Sequence, residues 1–128
     1  MSNSPKRILV LDDDEALRLL ICRALIRTGY SDVVDAADGR EGLKHLADSQ
    51  FDLVITDIIM PETDGMEVIF YLQKNRPETR VIAMSGGGRV DAENYLRVAR
   101  VAGACILSKP FNLPELQQLV ADLIGPAQ

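Results

Sequence analysis

The sequence predicts an α/β fold in which a five-stranded parallel sheet is wound on both faces by helices. Three observations predict it: short, continuous apolar runs with the length of strands buried on two faces, stretches of helical period between them, and reactive polar residues directly after the runs.

Ile8-Leu9-Val10-Leu11 is the first run. In the stretch after it, Leu17, Leu20, Ile21, Ala24 and Leu25 share one helical face, Arg18, Arg23 and Arg27 fall mostly elsewhere, and Gly29 ends the helix. Val33-Val34 is a weaker strand signal, followed by a polar-faced helix over residues 39–47. Leu53-Val54-Ile55 is the next strand, and the more apolar helix over 65–74 is closed by Pro77. Val81-Ile82-Ala83-Met84 leads to a helix over 92–102, which stops before Gly103. Ala104-Cys105-Ile106-Leu107 is the fifth strand, and the last helix carries Leu116, Leu119, Val120, Leu123 and Ile124. Asn112 marks its start with Glu115 three residues on, a variant of the capping box that satisfies free amides at the helix end. Right-handed crossovers assemble such a βα repeat into a doubly wound sheet, with a flavodoxin-like (βα)5 strand order of 2-1-3-4-5 as the natural outcome.

With 128 residues, 47% of them hydrophobic and 26% charged, one domain with its own core is expected. No stretch approaches the roughly 18 apolar residues of a membrane span, and the start lacks the apolar segment of a secretory signal. A cytoplasmic protein without membrane contact is the expectation. Cys22 and Cys105 sit far apart within apolar stretches, as small core residues do. The 14 basic and 19 acidic residues give a net charge of −5, and no Lys/Arg cluster adjoins aromatics, which argues against direct nucleic-acid binding.

In an open parallel sheet, chemistry gathers at the carboxyl ends of the strands. Asp12-Asp13-Asp14 follows the first run, Thr56-Asp57 the third, Ser85-Gly86-Gly87-Gly88 the fourth and Ser108-Lys109-Pro110 the fifth. Strands 1 and 3 are neighbours about 4.8 Å apart in this order, so Asp12, Asp13 and Asp57 should lie close together. Like charges about 4 Å apart cost on the order of 4 kcal/mol at an intermediate dielectric, which asks for compensation by protonation, a cation or function. Clustered hard oxygen ligands at a hydrated rim point to Mg²⁺ and a phosphoryl group. Asp14 is expected to cap the first helix. Lys109 is the one positive charge expected at this rim, able to pair with Asp57 at rest and with a phosphoryl oxygen afterwards. A cis bond before Pro110 would fix its direction, though a proline before a helix is also ordinary.

At this point the residues resemble a family, the response-regulator receiver domains of two-component signalling. The resemblance rests on Ile8-Leu9-Val10-Leu11-Asp12-Asp13-Asp14, on Asp52-Leu53-Val54-Ile55-Thr56-Asp57-Ile58-Ile59-Met60-Pro61, on Asp64-Gly65, on Met84-Ser85-Gly86 and on Ser108-Lys109-Pro110-Phe111. It implies that Asp57 accepts a phosphoryl group from a phosphohistidine on a histidine kinase or histidine phosphotransfer protein, and that the proline after Lys109 is cis. It also implies Mg²⁺ ligation by Asp13, Asp57, the backbone carbonyl of Ile59 and, through water, Asp12. Ser85 would hydrogen-bond a phosphoryl oxygen, with Gly86 leaving room beside the backbone amide. Residues 6–124 would be the receiver domain, residues 1–5 disordered and residues 125–128 a tail, making a stand-alone domain. Its output would be contact with a partner protein through a surface of helix 4, strand 5 and helix 5, where Arg89, Tyr95, Arg97 and Arg100 could contribute; a phosphorylation-dependent homodimer is left open.

The chain departs from the family pattern at Ile106, three residues before Lys109, where an aromatic residue is usual. A backbone or loop shift is therefore expected instead of the aromatic rotation. Ile59 and Gly87, two positions after Asp57 and Ser85, offer no side chain that orients water, so a long-lived phosphoryl group is expected. His45 lacks acidic or cysteine partners and is expected to be solvated. Two competitors exist. A haloacid-dehalogenase-like phosphatase would use Asp12 as nucleophile and Asp14 as acid, but Glu15 breaks its motif, no cap domain is present and Asp57 is left without a role. An unphosphorylated binding module would not need Asp12, Asp13, Asp57, Ser85 and Lys109 together.

Overall fold

Each apolar run becomes a strand, the inner three buried from both sides and the two at the edges only partly covered. The computed structural model describes residues 5–58, 65–86 and 92–127, with the side chains of 92–96 left aside. In chain order the elements are β1 (Arg7–Leu11), α1 (Glu15–Arg27), β2 (Asp32–Ala36), α2 (Gly39–Asp48), β3 (Leu53–Asp57), α3 (Gly65–Asn75), β4 (Arg80–Gly86), α4 (Ala92–Val101), β5 (Cys105–Lys109) and α5 (Leu113–Ile124). The strands form one parallel sheet in the order β2-β1-β3-β4-β5, the expected topology.

Alternation along the strands divides the core in two. Ile8, Val10, Leu53, Ile55, Ile82 and Met84 pack with Ile21, Leu25, Leu116 and Val120 of α1 and α5. Leu9, Leu11, Val54 and Ala83 face the other way, onto Leu46, Val68, Ile69, Leu72 and Ala99 of α2, α3 and α4. Each fully buried Leu, Ile or Val contributes about 1.5–3 kcal/mol, so both faces hold the sheet in register. Register matters because it sets which residues reach the carboxyl rim together.

β2 is longer than its Val33-Val34 core suggested. It is an edge strand, with Asp32, Val33, Val34 and Asp35 half-buried, and it pairs with β1 alone. Arg7 secures its start: Nε donates to Asp32 at 2.8 Å and Nη1 to the Gln50 carbonyl at 3.1 Å, with the guanidinium 4.7 Å from the Phe51 ring centre. Gly29, at φ 109°, makes the left-handed turn out of α1 that a side chain would strain. Asp14 and Asn112 are N-caps, accepting from the N–H groups of Leu17 and Glu115 as the sequence suggests. Cys22 is buried, its thiol pushed up to about 11 by desolvation with Asp35 adding and Arg18 opposing, whereas Cys105 is only half-buried at the start of β5. His45 is also half-buried. Among the described residues no helix is long and apolar enough to cross a membrane.

Candidate functional site

β1 and β3 run side by side with Leu11 opposite Thr56, so the next residue of each strand, Asp12 and Asp57, emerges at the same rim. β4 pairs Met84 with Asp57, and β5 pairs Lys109 with Gly86. The sheet thus delivers Asp12, Asp57, Ser85 and Lys109 to one edge. Ser85, Gly86, Ser108 and Lys109 lie within their strands and not after them, since β4 and β5 each extend to the rim.

Asp12 is fully buried, at 0% exposure, and every oxygen it owns is engaged. Oδ1 accepts the Asp14 N–H at 2.9 Å, Oδ2 accepts Lys109 Nζ at 3.1 Å, and the main-chain carbonyl accepts Arg18 Nη1 at 2.9 Å. Lys109 Nζ stands 3.6 Å from Asp57, so the lysine at rest is bonded to Asp12 and only ion-paired with Asp57. Asp13 is exposed. One oxygen from each of Asp12, Asp13 and Asp57 falls within 4.8 Å of the others, a set that could hold a metal ion.

Electrostatics favour a cation there. Burial raises the Asp57 carboxyl above the usual range, Lys109 counters it, and the charges of Asp12 and Asp13 raise it further. Burial works to lower the Lys109 ammonium, but attraction to Asp57 and Asp12 prevails and holds it up. The donor set is all hard oxygen, at a rim where one ligand is buried and one faces solvent, and it fits a divalent cation that keeps part of its water shell.

Gly65, at the start of α3, makes the close approach that walls the site. Its N–H donates to the Ile58 carbonyl at 2.9 Å, and a Cβ would stand 2.0 Å from the Asp57 carbonyl oxygen and 2.8 Å from Ile58 Cα. Any side chain would push α3 off the strand that carries Asp57. Ser85 is buried at 7% exposure, and a Cβ on Gly86 would meet nothing within 4 Å, so space opens beside its backbone. The Lys109–Pro110 bond is cis. Ile106 is half-buried and packs against the core on the α2–α4 face.

The sequence reading missed Arg18. It falls outside the apolar stripe of α1, yet its side chain is 13% exposed, with Nε 2.7 Å from Asp35 Oδ2 while Nη1 holds the Asp12 carbonyl. Asp35, at the same strand-end rim, was the signal. Arg97 and Arg100 are exposed on α4. Ile59, Gly87 and Arg89 lie outside the described residues, as does the side chain of Tyr95.

Comparison with known proteins agrees with this geometry. The family profile of the response regulator receiver domain matches residues 8–121. The DNA-binding transcriptional regulator NtrC of Azospirillum brasilense is 40% identical over 121 residues, covering 91% of this chain and 24% of that protein. The probable chemotaxis protein CheY of Rhizobium etli is 28% identical over 123 residues, covering 93% of this chain and 92% of the relative. The chain thus spans about a quarter of the length of the NtrC relative and nearly all of the CheY relative. Among solved structures, a CheY-like receiver domain protein from Methanospirillum hungatei JF-1 superposes with a TM-score of 0.83 at 31% identity, covering 93% of each chain. Response regulator TrrA of Thermotoga maritima, in complex with Mg(2+)-BeF, gives 0.79 at 33% identity over 92% of this chain and 98% of that one. Fold, rim and profile agree: the chain belongs to the response regulator receiver domains of two-component signalling.

Proposed function

We propose that Asp57 is the phosphoacceptor of this receiver domain, taking a phosphoryl group from a phosphohistidine on a histidine kinase or histidine phosphotransfer protein. The observation that carries the reading is Lys109 Nζ held between Asp12 at 3.1 Å and Asp57 at 3.6 Å inside the three-carboxylate cluster. Such a lysine can swing from carboxylate to phosphoryl oxygen with its charge paired throughout.

Asp13 and Asp57 would hold Mg²⁺ directly, Asp12 through water, and the Ile59 carbonyl would complete the protein ligands. When bound, the ion neutralises repulsion between the attacking carboxylate and the phosphoryl oxygens. The related TrrA structure, a complex with Mg(2+)-BeF, supports this choice of metal. An Asp57 oxygen attacks phosphorus, the phosphorus–nitrogen bond of the donor breaks, and the donor imidazole leaves with its electron pair and takes a proton. Lys109 steadies the transferred group, Ser85 donates to one of its oxygens, and the space at Gly86 admits that oxygen next to the main chain. The domain in this way catalyses its own phosphorylation and dephosphorylation.

Movement of Ser85 toward the phosphoryl group then changes the surface of α4, β5 and α5, where a partner protein binds. Ile106 is half-buried against the core and carries no ring, which favours a main-chain shift over an aromatic rotation. Incubation with a small-molecule phosphodonor and Mg²⁺, followed by intact mass, tests the reading. The protein should gain a base-labile phosphoryl group that Asp57→Asn abolishes. Label that survives Asp57→Asn but is lost in Asp12→Asn would favour a phosphatase instead.

A further inference from the structure

We infer that Arg18 is a positioning residue for the metal-binding carboxylates, acting on Asp13 through the backbone it shares with Asp12. The inference rests on the phosphoacceptor reading of the rim and extends it to a residue on α1. Its geometry is specific. The guanidinium is nearly buried, donates from Nε to Asp35 Oδ2 at 2.7 Å and from Nη1 to the Asp12 carbonyl at 2.9 Å, and so ties the first turns of α1 to the ends of β1 and β2 at once. Two donors of one rigid fork on two acceptors leave it little freedom.

The consequence lies in the peptide that Arg18 grips. The Asp12 carbonyl and the Asp13 N–H belong to one planar unit, so fixing the carbonyl fixes the plane from which the Asp13 Cα departs. Asp12 itself is held three times, by Asp14 N–H, by Lys109 and by Arg18. Asp13 is exposed, and its carboxylate depends on the backbone for direction toward Asp57. Without Arg18 the peptide could rotate, with Asp35 left at the rim as a further uncompensated acid. Partners that orient metal ligands from behind typically govern about 10–100-fold in metal affinity.

A purely structural clamp would predict something different: lower stability with unchanged metal affinity. The test is isothermal titration of the intact protein and its Arg18→Met and Arg18→Lys variants with MgCl2, beside thermal unfolding without metal. Arg18→Met should raise the Mg²⁺ dissociation constant about tenfold, with Arg18→Lys recovering part of the loss because an ammonium reaches one acceptor but not both. The Mg²⁺ concentration for half-maximal phosphorylation should rise by the same factor, while the rate at saturating Mg²⁺ stays near that of the unsubstituted protein. Should Arg18→Met fail to fold, Arg18→Lys and Asp35→Asn carry the test, each weakening Mg²⁺ severalfold. Unchanged Mg²⁺ affinity in a folded variant overturns the inference and leaves the phosphoacceptor reading intact. Failure of the unsubstituted protein to bind Mg²⁺ overturns both.

Discussion

Replacing Asp57 by Asn should stabilise the fold at neutral pH although it removes the central residue of the site. The Asp57 carboxylate is 14% exposed, has oxygens of Asp12 and Asp13 within 4.8 Å and has Lys109 at 3.6 Å. At an effective dielectric of about 20, each repulsion at that spacing costs about 3 kcal/mol and the lysine returns about 4–5 kcal/mol. Exposure of Asp13 weakens its share, so these terms nearly cancel and burial of the charge decides the sign, leaving about 1 kcal/mol against the ionised form. Asn keeps the shape without that cost. For a chain of 128 residues the melting temperature should rise by about 3–5 °C. The pH dependence follows from the raised Asp57 pKa: the folded state binds the proton more tightly than the unfolded one, so no penalty exists below the ordinary carboxylate pKa of about 3.9, and it is complete once pH exceeds the folded value. Thermal unfolding by circular dichroism at about pH 7 should therefore show the gap, and at about pH 3, below the ordinary carboxylate pKa, it should nearly vanish. Saturating Mg²⁺ should close it by stabilising the unsubstituted protein. A variant that melts lower at neutral pH, or a gain that persists unchanged into acid, would refute the electrostatic account of the cluster.

Two further outcomes are expected. Gly65→Ala should destabilise by about 2–3 kcal/mol in urea unfolding, because its methyl would stand 2.0 Å from the Asp57 carbonyl oxygen, and a loss under about 0.5 kcal/mol would mean that the approach of α3 is looser than described. The phosphorylated protein should lose its label slowly, and Ile59→Asn should speed the loss about tenfold or more by orienting a water; fast Mg²⁺-dependent loss that Ile59→Asn leaves unchanged would count against a long-lived phosphoryl group.

Most of the fold is readable in the sequence because burial on two faces writes the inner strands as unbroken apolar runs. β2 was the weakest signal for the same reason, since an edge strand with Asp32 and Asp35 half-buried has no continuous run to show. Strand-end acids were legible because topology alone brings Asp12 and Asp57 together. What escaped depends on ångströms and on pairs distant in the chain. Lys109 prefers Asp12 to Asp57 by 3.1 Å against 3.6 Å, a choice no spacing encodes. Arg18 reads as a solvated helix cation until the β2 end is placed beside it, and Gly65 reads as part of a motif until its missing Cβ is seen to make room for the Asp57 backbone.

The central claim is that Asp57 carries the phosphoryl group, and locating that group on the chain tests it most directly. Treating the phosphorylated protein with borohydride reduces an aspartyl phosphate to homoserine, which peptide mass spectrometry assigns to one position. The account predicts homoserine at position 57 in the peptide containing Thr56 and Ile58, and at no other acid of the rim. Homoserine at Asp12 or Asp13, or none in protein that has gained the mass of a phosphoryl group, would contradict it.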